Sequence, residues 1–471
     1  MPILTVIQNE KERKITFDGE KLLSELLEKS DVHIDMDCAG RGVCKRCTVL
    51  VNGKEELSCR YIVKDDVTVV VPEMDDIVSV TGVENTGKPS ENVCLCLDIG
   101  TTTLALSLVS LDSGEVIKTK TASNPQRKYG ADVVSRIDYC SKNSPEALQK
   151  ALVKTIKEMT DELLGECGLS DVEKMYVAGN TTMLHLFFGV DCSCLGMSPY
   201  TPVFLESKSV KGEKLGLDKI KSIASLPGIS AFVGADIVSG LYFLGMPDGC
   251  DKYNILVDLG TNAEIVLWNS KKYLCATAAA GPCFEGANIE CGMSAVRGAV
   301  CEYSKNGTYS VIGDVTPEGI CATGLIDVIS VLLQRGVVDK SGYMEDEEFF
   351  LTPDVKVTAK DIREFQLAKS AVRSALECLI KKADITYDSI EKMYIAGGFS
   401  SQLSISNACY LGLVPKELEE KFVPVNNSCL KGLVKYALDG GDLSQITRKA
   451  EYTDIGADSL FSQLFFENMS F

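Results

Sequence analysis

Histidine is nearly absent: His33 and His185 are the only two in 471 residues. A zinc or iron site built on imidazoles is therefore excluded, and any metal chemistry has to come from cysteine or carboxylate. Long apolar runs are missing too. None reaches the ~18 residues of a membrane span, and the opening MPILTVIQNEKERK breaks at Gln8 and Asn9, too early for the core of a signal peptide. Both absences predict a cytoplasmic protein without a membrane partner. Basic charge is in deficit, with Lys+Arg 48 against Asp+Glu 66 and a net charge of -18, which disfavours nucleic acid and anionic lipid. Proteins or small ligands are the expected partners. No G-x-G-x-x-G follows a plausible strand, so a Rossmann dinucleotide site has no support. The stretch from Gly82 to Lys88 begins like a P-loop, but Pro89 then lacks the hydroxyl that would hold Mg²⁺.

What is present is ordinary in bulk. Hydrophobic residues make up 45% and charged residues 24%, a balance typical of soluble globular chains, and the length predicts roughly three domains. Residues 3 to 17 read as two short strands around a polar turn. A helical pattern follows with Leu22, Leu23, Leu26 and Leu27 on one face, then a cysteine-rich loop and a strand at Val67 to Val71. Pro72 to Asn92 is polar and turn-rich and reads as a linker. Beyond it the chain repeats itself: LCLDIGTTTLALSLV at Leu95 to Val109 resembles ILVDLGTNAEIVLW at Ile255 to Trp268, and KMYVAGN at Lys174 to Asn180 resembles KMYIAGG at Lys392 to Gly398. Two motifs recurring in one order predict two halves of similar fold, unequally enlarged by insertions. Helical segments at Ala147 to Gly165, Leu325 to Leu333 and Ala368 to Lys381 alternate with them, which argues α/β. The expected division is 1-74, a linker at 75-92, a first lobe at 93-235 and a second at 236-471.

Cysteine is plentiful, at 19, an odd number spread over the whole chain and a better fit to reduced thiols plus a metal cluster than to a disulfide framework. Cys38, Cys44, Cys47 and Cys59 form a C-x5-C-x2-C-x11-C pattern. Four thiolates so spaced can hold two irons, and Ala39, Gly40 and Gly42 let the loop turn tightly around them. A four-cysteine zinc knuckle is the alternative, but its ligands usually arrive as two close pairs. Cys94/Cys96 and Cys192/Cys194 read as buried thiols, His185 as a packed core residue, and Leu460 to Phe471 as a helix covering the core, with an oligomer surface as the second reading.

The second constellation is the pair Asp98-Ile-Gly-Thr-Thr-Thr103 and Asp258-Leu-Gly-Thr-Asn262, each after an apolar run. Alone, either would read as a turn between strands; twice, they read as a clamp on a polyphosphate. Gly100 and Gly260 permit the turn, amide and hydroxyl groups at Thr101, Thr102, Thr261 and Asn262 can meet phosphate oxygens, and Asp98 and Asp258 can hold hydrated Mg²⁺ as the catalytic carboxylates.

The cysteine loop and its strand lead-in resemble the [2Fe-2S] ferredoxin domain, a β-grasp α+β fold, with a first gap of five residues closer to the vertebrate and bacterial redoxin variant than to the plant type. The paired loops, with Ile395 to Phe399, resemble the superfamily of acetate and sugar kinases, actin and heat-shock chaperone ATPases, a duplicated ribonuclease H-like fold. That resemblance implies ATP between two lobes, with Gly397 and Gly398 against the adenosine and Glu285 as a ribose or base contact. With VAGNTTMLHLFFG, SPYTPVF, AAAGPCFEGANI and ATGLIDVI, nearly the whole chain resembles the reductive activators of corrinoid-dependent methyltransferase systems. No extra domain of appreciable size stands between the linker and the first phosphate loop, where larger members carry one. The resemblance implies an ATP-hydrolysing iron-sulfur activase that passes an electron to a Co(II) corrinoid protein, an upstream electron donor and a homodimer. A redox-gated ATPase switch of chaperone-like type and a small-molecule kinase are the rival readings.

Overall fold

The computed structural model describes residues 1–8, 11–30, 32, 34, 47–71, 85–87, 90–247, 251–397 and 400–471. The N-terminal part is a sheet built from β1 (Ile3–Gln8), β2 (Lys11–Thr16), β3 (Thr48–Val51), β4 (Lys54–Leu57) and β5 (Val67–Val70), in the order β2-β1-β5-β3-β4. β1 runs parallel to β5, and the other neighbours are antiparallel. Helix α1 (Leu23–Lys29) covers the sheet with Leu23, Leu26 and Leu27, which share a core with Leu4, Val6, Val49 and Val69. Leu22 departs from the expected helix and pairs with Ile62 in a short ladder. Part of the expected loop is also the β3–β4 hairpin, turned by Asn52 at φ 50° and Gly53 at φ 82°. The expected linker falls largely outside the described residues; within it, Gly87 N–H donates to Val116 O (2.9 Å).

The repeats become two sheets that share the order of five strands and differ in the sixth, which lies on opposite edges. The first comprises β6 (Val93–Ile99), β7 (Thr103–Ser110), β8 (Val116–Ser123), β9 (Val172–Gly179), β10 (Ser209–Lys211) and β11 (Ile220–Ser225), ordered β8-β7-β6-β9-β11-β10. The second comprises β12 (Tyr253–Leu259), β13 (Ala263–Trp268), β14 (Tyr273–Ala278), β15 (Ile390–Ala396), β16 (Phe422–Val425) and β17 (Ala450–Tyr452), ordered β17-β14-β13-β12-β15-β16. The central strands keep one register in both: Ala178 lies opposite Asp98 and Ala396 opposite Asp258, each in a parallel pair. β6 is buried along Val93 to Leu97, as expected of a central strand covered on both faces.

Helices fill the space between and around the sheets. In the first half these are α2 (Val133–Lys142), α3 (Glu146–Glu166), α4 (Thr181–Phe187) and α5 (Ala235–Leu244). In the second they are α6 (Ala322–Gln334), α7 (Ala359–Lys382), α8 (Ser428–Asp439) and α9 (Ser459–Glu467). α7 begins nine residues before the apolar pattern suggests, because Thr358 and Asp361 form a capping box that satisfies its first turn. α5 and α8 cross closely: a Cβ on Gly432 would run into Ser239 O, and Ser239 Oγ donates to Cys429 O (2.7 Å). The C-terminal segment covers α7, with Leu464 buried and Phe471 stacked 6.3 Å from Phe365. Among the described residues no helix is long and apolar enough to cross a membrane.

Candidate functional site

Strand β6 ends at Ile99, and Gly100 N–H donates to Thr103 O (3.0 Å) to turn the chain into β7. In the second half Gly260 N–H donates to Asn262 O (3.0 Å) to turn β12 into β13. A Cβ at position 100 would lie 2.5 Å from Thr103 O, so only glycine closes the first turn without displacement. The neighbouring strands impose the same demand: a Cβ on Gly179 would lie 2.7 Å from Ile99 O, and one on Gly397 would lie 2.5 Å from Leu259 O.

The first loop is held from below by groups that motif reading did not single out. Asn124 Nδ2 donates to Gly100 O (2.8 Å), Asn180 Nδ2 to Thr101 Oγ1 (3.0 Å), and Arg136 Nη2 to Thr101 O (2.6 Å). Arg136 is fully buried. Its other bonds go to Gly130 O, Gln126 Oε1 and Met183 Sδ, all uncharged. Burial, with Arg127 nearby, pushes its pKa down to about 9 against the opposing charges of Asp132 and Glu285, so the cation persists at neutral pH beneath the loop. A buried cation bonded to neutral acceptors is costly unless an anion comes close.

Glu285 brings the two loops together. It closes a short turn (Pro282–Glu285) after β14. Its Oε1 accepts from Thr261 N–H (2.9 Å) and Thr261 Oγ1 (2.8 Å), and its Oε2 accepts from Thr102 Oγ1 (3.3 Å). The expected ribose or base contact is thus located at the phosphate loops, with one carboxylate oxygen facing each lobe. The carboxylate also tests the donor set: these groups already bind an anion, as phosphate oxygens require.

Four further carboxylates surround the cleft. Asp98 is pushed up to about 6 by desolvation, against the opposing effect of hydrogen bonds from Cys429 and Asn427 at the start of α8. Asp258 is pushed up to about 6 by desolvation and the charge of Asp98. Asp236, at the start of α5, reaches about 7 through desolvation, with Asp258 and Asp98 adding to it. Glu264 lies directly opposite Asp258 in the β12–β13 ladder and is raised well above the carboxylate range by desolvation and by Asp258 and Asp236. The equivalent position opposite Asp98 is Ala105, so the second half carries the extra acid. Asp236 and Glu264 were not legible as site residues. The signal for Asp236 was Gly234, whose Cβ would overlap Asn180 Cα and so marks a close approach of α5 to the first phosphate loop's support.

Of the expected cluster ligands, Cys38 and Cys44 lie outside the described residues, and so does the expected nucleoside contact Gly398. Cys47 and Cys59 are both buried and flank the open end of the β3–β4 hairpin, where Ser58 N–H donates to Cys47 O (2.9 Å). Two buried thiols brought together by one hairpin suit a thiolate-held cluster. Cys94 and Cys96 are buried in β6, and His185 is a packed core residue, bonded to Thr181 O (2.7 Å) and Val203 N–H (3.1 Å) and stacked on Phe204.

A thiol-bearing ferredoxin-type sheet joined to two duplicated lobes with paired phosphate loops defines an iron-sulfur protein carrying an ASKHA domain, the actin-like nucleotide-binding fold. Residues 6–68 match the 2Fe-2S iron-sulfur cluster binding domain, 93–248 the RACo middle region, and 252–471 the C-terminal domain of RACo, the ASKHA domain. The chain therefore carries a 2Fe-2S domain followed by regions that match the middle and ASKHA domains of RACo. It is 26% identical to the corrinoid activation enzyme RamQ of Eubacterium limosum over 98% of each chain. It is also 26% identical to the [Co(II) methylated amine-specific corrinoid protein] reductase of Methanosarcina barkeri, over 78% of this chain and 73% of that one. The solved structure of a reductive activator for corrinoid, iron-sulfur protein superposes with a TM-score of 0.73 at 26% identity, covering 99% of this chain and 98% of the other.

Proposed function

We propose that this protein is an ATP-dependent reductive activator that passes one electron from a [2Fe-2S] cluster to an inactive Co(II) corrinoid protein, returning it to Co(I). The observation that carries the reading is the cradle formed by the Thr102 hydroxyl and the Thr261 amide and hydroxyl. It is drawn from both lobes and already holds a carboxylate, in a chain whose other end is a 2Fe-2S domain. In this reading residues 1–74 carry electrons, 75–92 link, and the two duplicated lobes close on nucleotide.

When bound, the cluster would supply single electrons at a potential set by its hydrogen bonds and charge, and Mg·ATP would supply the binding energy for lobe closure. Cys38, Cys44, Cys47 and Cys59 would hold the cluster. Asp98 and Asp258 would be the carboxylates for the cation. Mg²⁺ keeps several waters and takes one or two carboxylates beside phosphate oxygens, a demand that two aspartates at strand ends can meet. Arg136, fixed under Thr101, offsets the phosphate charge. Because Thr102 and Thr261 belong to opposite lobes, a ligand that both must hold favours the closed form by its differential affinity. Closure then alters the complex with the corrinoid partner, and an upstream electron donor would complete the cycle.

The test is anaerobic mixing of the reduced protein with corrinoid proteins from its own cell, following the Co(I) absorption band with and without ATP. Co(I) should accumulate only with ATP. Equal rate and yield without nucleotide would remove the reason for the ATPase lobes.

A further inference from the structure

We propose that Glu285 is an anionic latch: in the nucleotide-free protein it occupies the phosphate donors of both lobes, and nucleotide phosphate binds by displacing it. This rests on the nucleotide-binding reading above. Three facts converge on it.

The first is the identity of the donors. Thr261 N–H, Thr261 Oγ1 and Thr102 Oγ1 are the amide and hydroxyl groups that a phosphate chain between the loops requires, and all three point at Glu285. A carboxylate and a phosphate oxygen cannot accept from the same N–H at once. The bonds to the ionised acceptor are of the strong, charge-assisted kind, so the exchange has a measurable cost.

The second is the rigidity of the turn that presents the side chain. Gly281 and Gly286 bracket it at φ 75° and 81°. Gly286 N–H donates to Cys283 O (3.0 Å) and Ala287 N–H to Pro282 O (3.1 Å). A Cβ on Gly286 would meet Met293 N and O at 2.5 Å, so the turn is packed against the following segment. Glu285 is therefore held at the loops by its backbone.

The third is topology. Glu285 belongs to the second half, and one of its oxygens reaches Thr102 of the first, 183 residues away. Displacement of the carboxylate breaks a tie between lobes at the moment phosphate makes a new one. The latch thus stands in for phosphate at donors of both lobes, and it penalises ligands too poor in phosphate to replace it.

Two other roles predict different results. A ribose or base ligand would weaken nucleotide binding when removed, and a general base would lower turnover without changing affinity. The discriminating variant is the nearly isosteric Glu285→Gln in the full-length, cluster-loaded chain, titrated calorimetrically with Mg·AMP-PNP and with AMP. The latch predicts that Glu285→Gln binds Mg·AMP-PNP about tenfold more tightly, while AMP binds both proteins alike. It also predicts faster amide exchange in nucleotide-free Glu285→Gln for peptides spanning Thr261, a readout independent of turnover. Weaker binding by the variant, unchanged affinity with lost turnover, or equal tightening for AMP would each overturn the latch. If the wild-type chain binds neither ligand, the nucleotide reading itself fails and the latch goes with it. Wild-type binding with an unaltered variant overturns the latch alone.

Discussion

Asp98, Asp236 and Asp258 share a cleft in which desolvation dominates, raising them to about 6, 7 and 6, with Asp98 adding to Asp258 and both adding to Asp236. Since the unfolded value is 3.8, the native state binds more protons than the unfolded one between these limits. The stabilising contribution of the three groups is full below about pH 4 and is lost as pH rises through 6 to 7. Thermal melts of the nucleotide-free protein should therefore show Asp258→Asn gaining on wild type between pH 5 and pH 8; a constant difference would mean the site does not titrate. Mg·ATP needs the ionised form, so its affinity, measured by calorimetry, should fall as pH drops through the same window. Asp258→Ala should slow hydrolysis by ~10² to 10³, the usual loss on removing an electrostatic contact to a reacting group. Normal hydrolysis in both Asp98→Ala and Asp258→Ala would place the reaction elsewhere. Arg136→Lys keeps the charge but loses the fork that joins Thr101 O, Gly130 O and Gln126 Oε1. Acceptors left unmatched cost about 1–3 kcal/mol, a loss that urea unfolding should record.

At the scale of elements, the two halves repeat a demand as well as a sequence. Gly179 and Gly397 each close the end of a strand beside a phosphate loop, and each leaves no room for a Cβ against the neighbouring backbone carbonyl. Gly397 also sits at φ 114°, which an L side chain rarely adopts. Gly397→Ala should thus lower stability by roughly 1–3 kcal/mol and shift the end of β12, weakening nucleotide binding; an unchanged melting temperature would show that the strand ends tolerate movement. The repeated strands were legible because motif spacing and apolar runs are local. Helix starts were not, since α7 depends on a cap at Thr358 and Asp361 rather than on its apolar face. The β3–β4 hairpin announced itself through Asn52-Gly53, a turn pair suited to positive φ, yet the cysteines around it drew the reading toward a loop. Leu22 looked helical by spacing alone, and pairing with Ile62 took it into a ladder.

For the whole molecule, the cores speak to independence. Leu4, Val6, Leu26 and Val69 form a cluster separate from those that organise the two large sheets. Cys59→Ser should consequently strip or distort the cluster, lowering the iron content and the reduced paramagnetic signal, while leaving nucleotide affinity and the melting of the lobes in place. Loss of nucleotide binding in that variant would show the parts to be coupled. A net charge of -18 favours a partner that presents a positive face, and the rate of encounter with the corrinoid protein should fall as salt rises. By itself the sequence determined the chemistry that local order can carry: four thiols at ligand spacing, two glycine-threonine turns after apolar strands, and a duplication that pairs Asp98 with Asp258. Only the tertiary structure decided which distant groups serve those turns. Arg136, Asp236 and Asn427 lie in segments whose sequence has no motif. They meet the loops because parallel strand pairing and the crossing of α5 with α8 bring chain ends together across long separations. Glu285 shows the same division, being visible in the sequence as an acid in a glycine-rich turn and assigned to phosphate donors only once both lobes were in place.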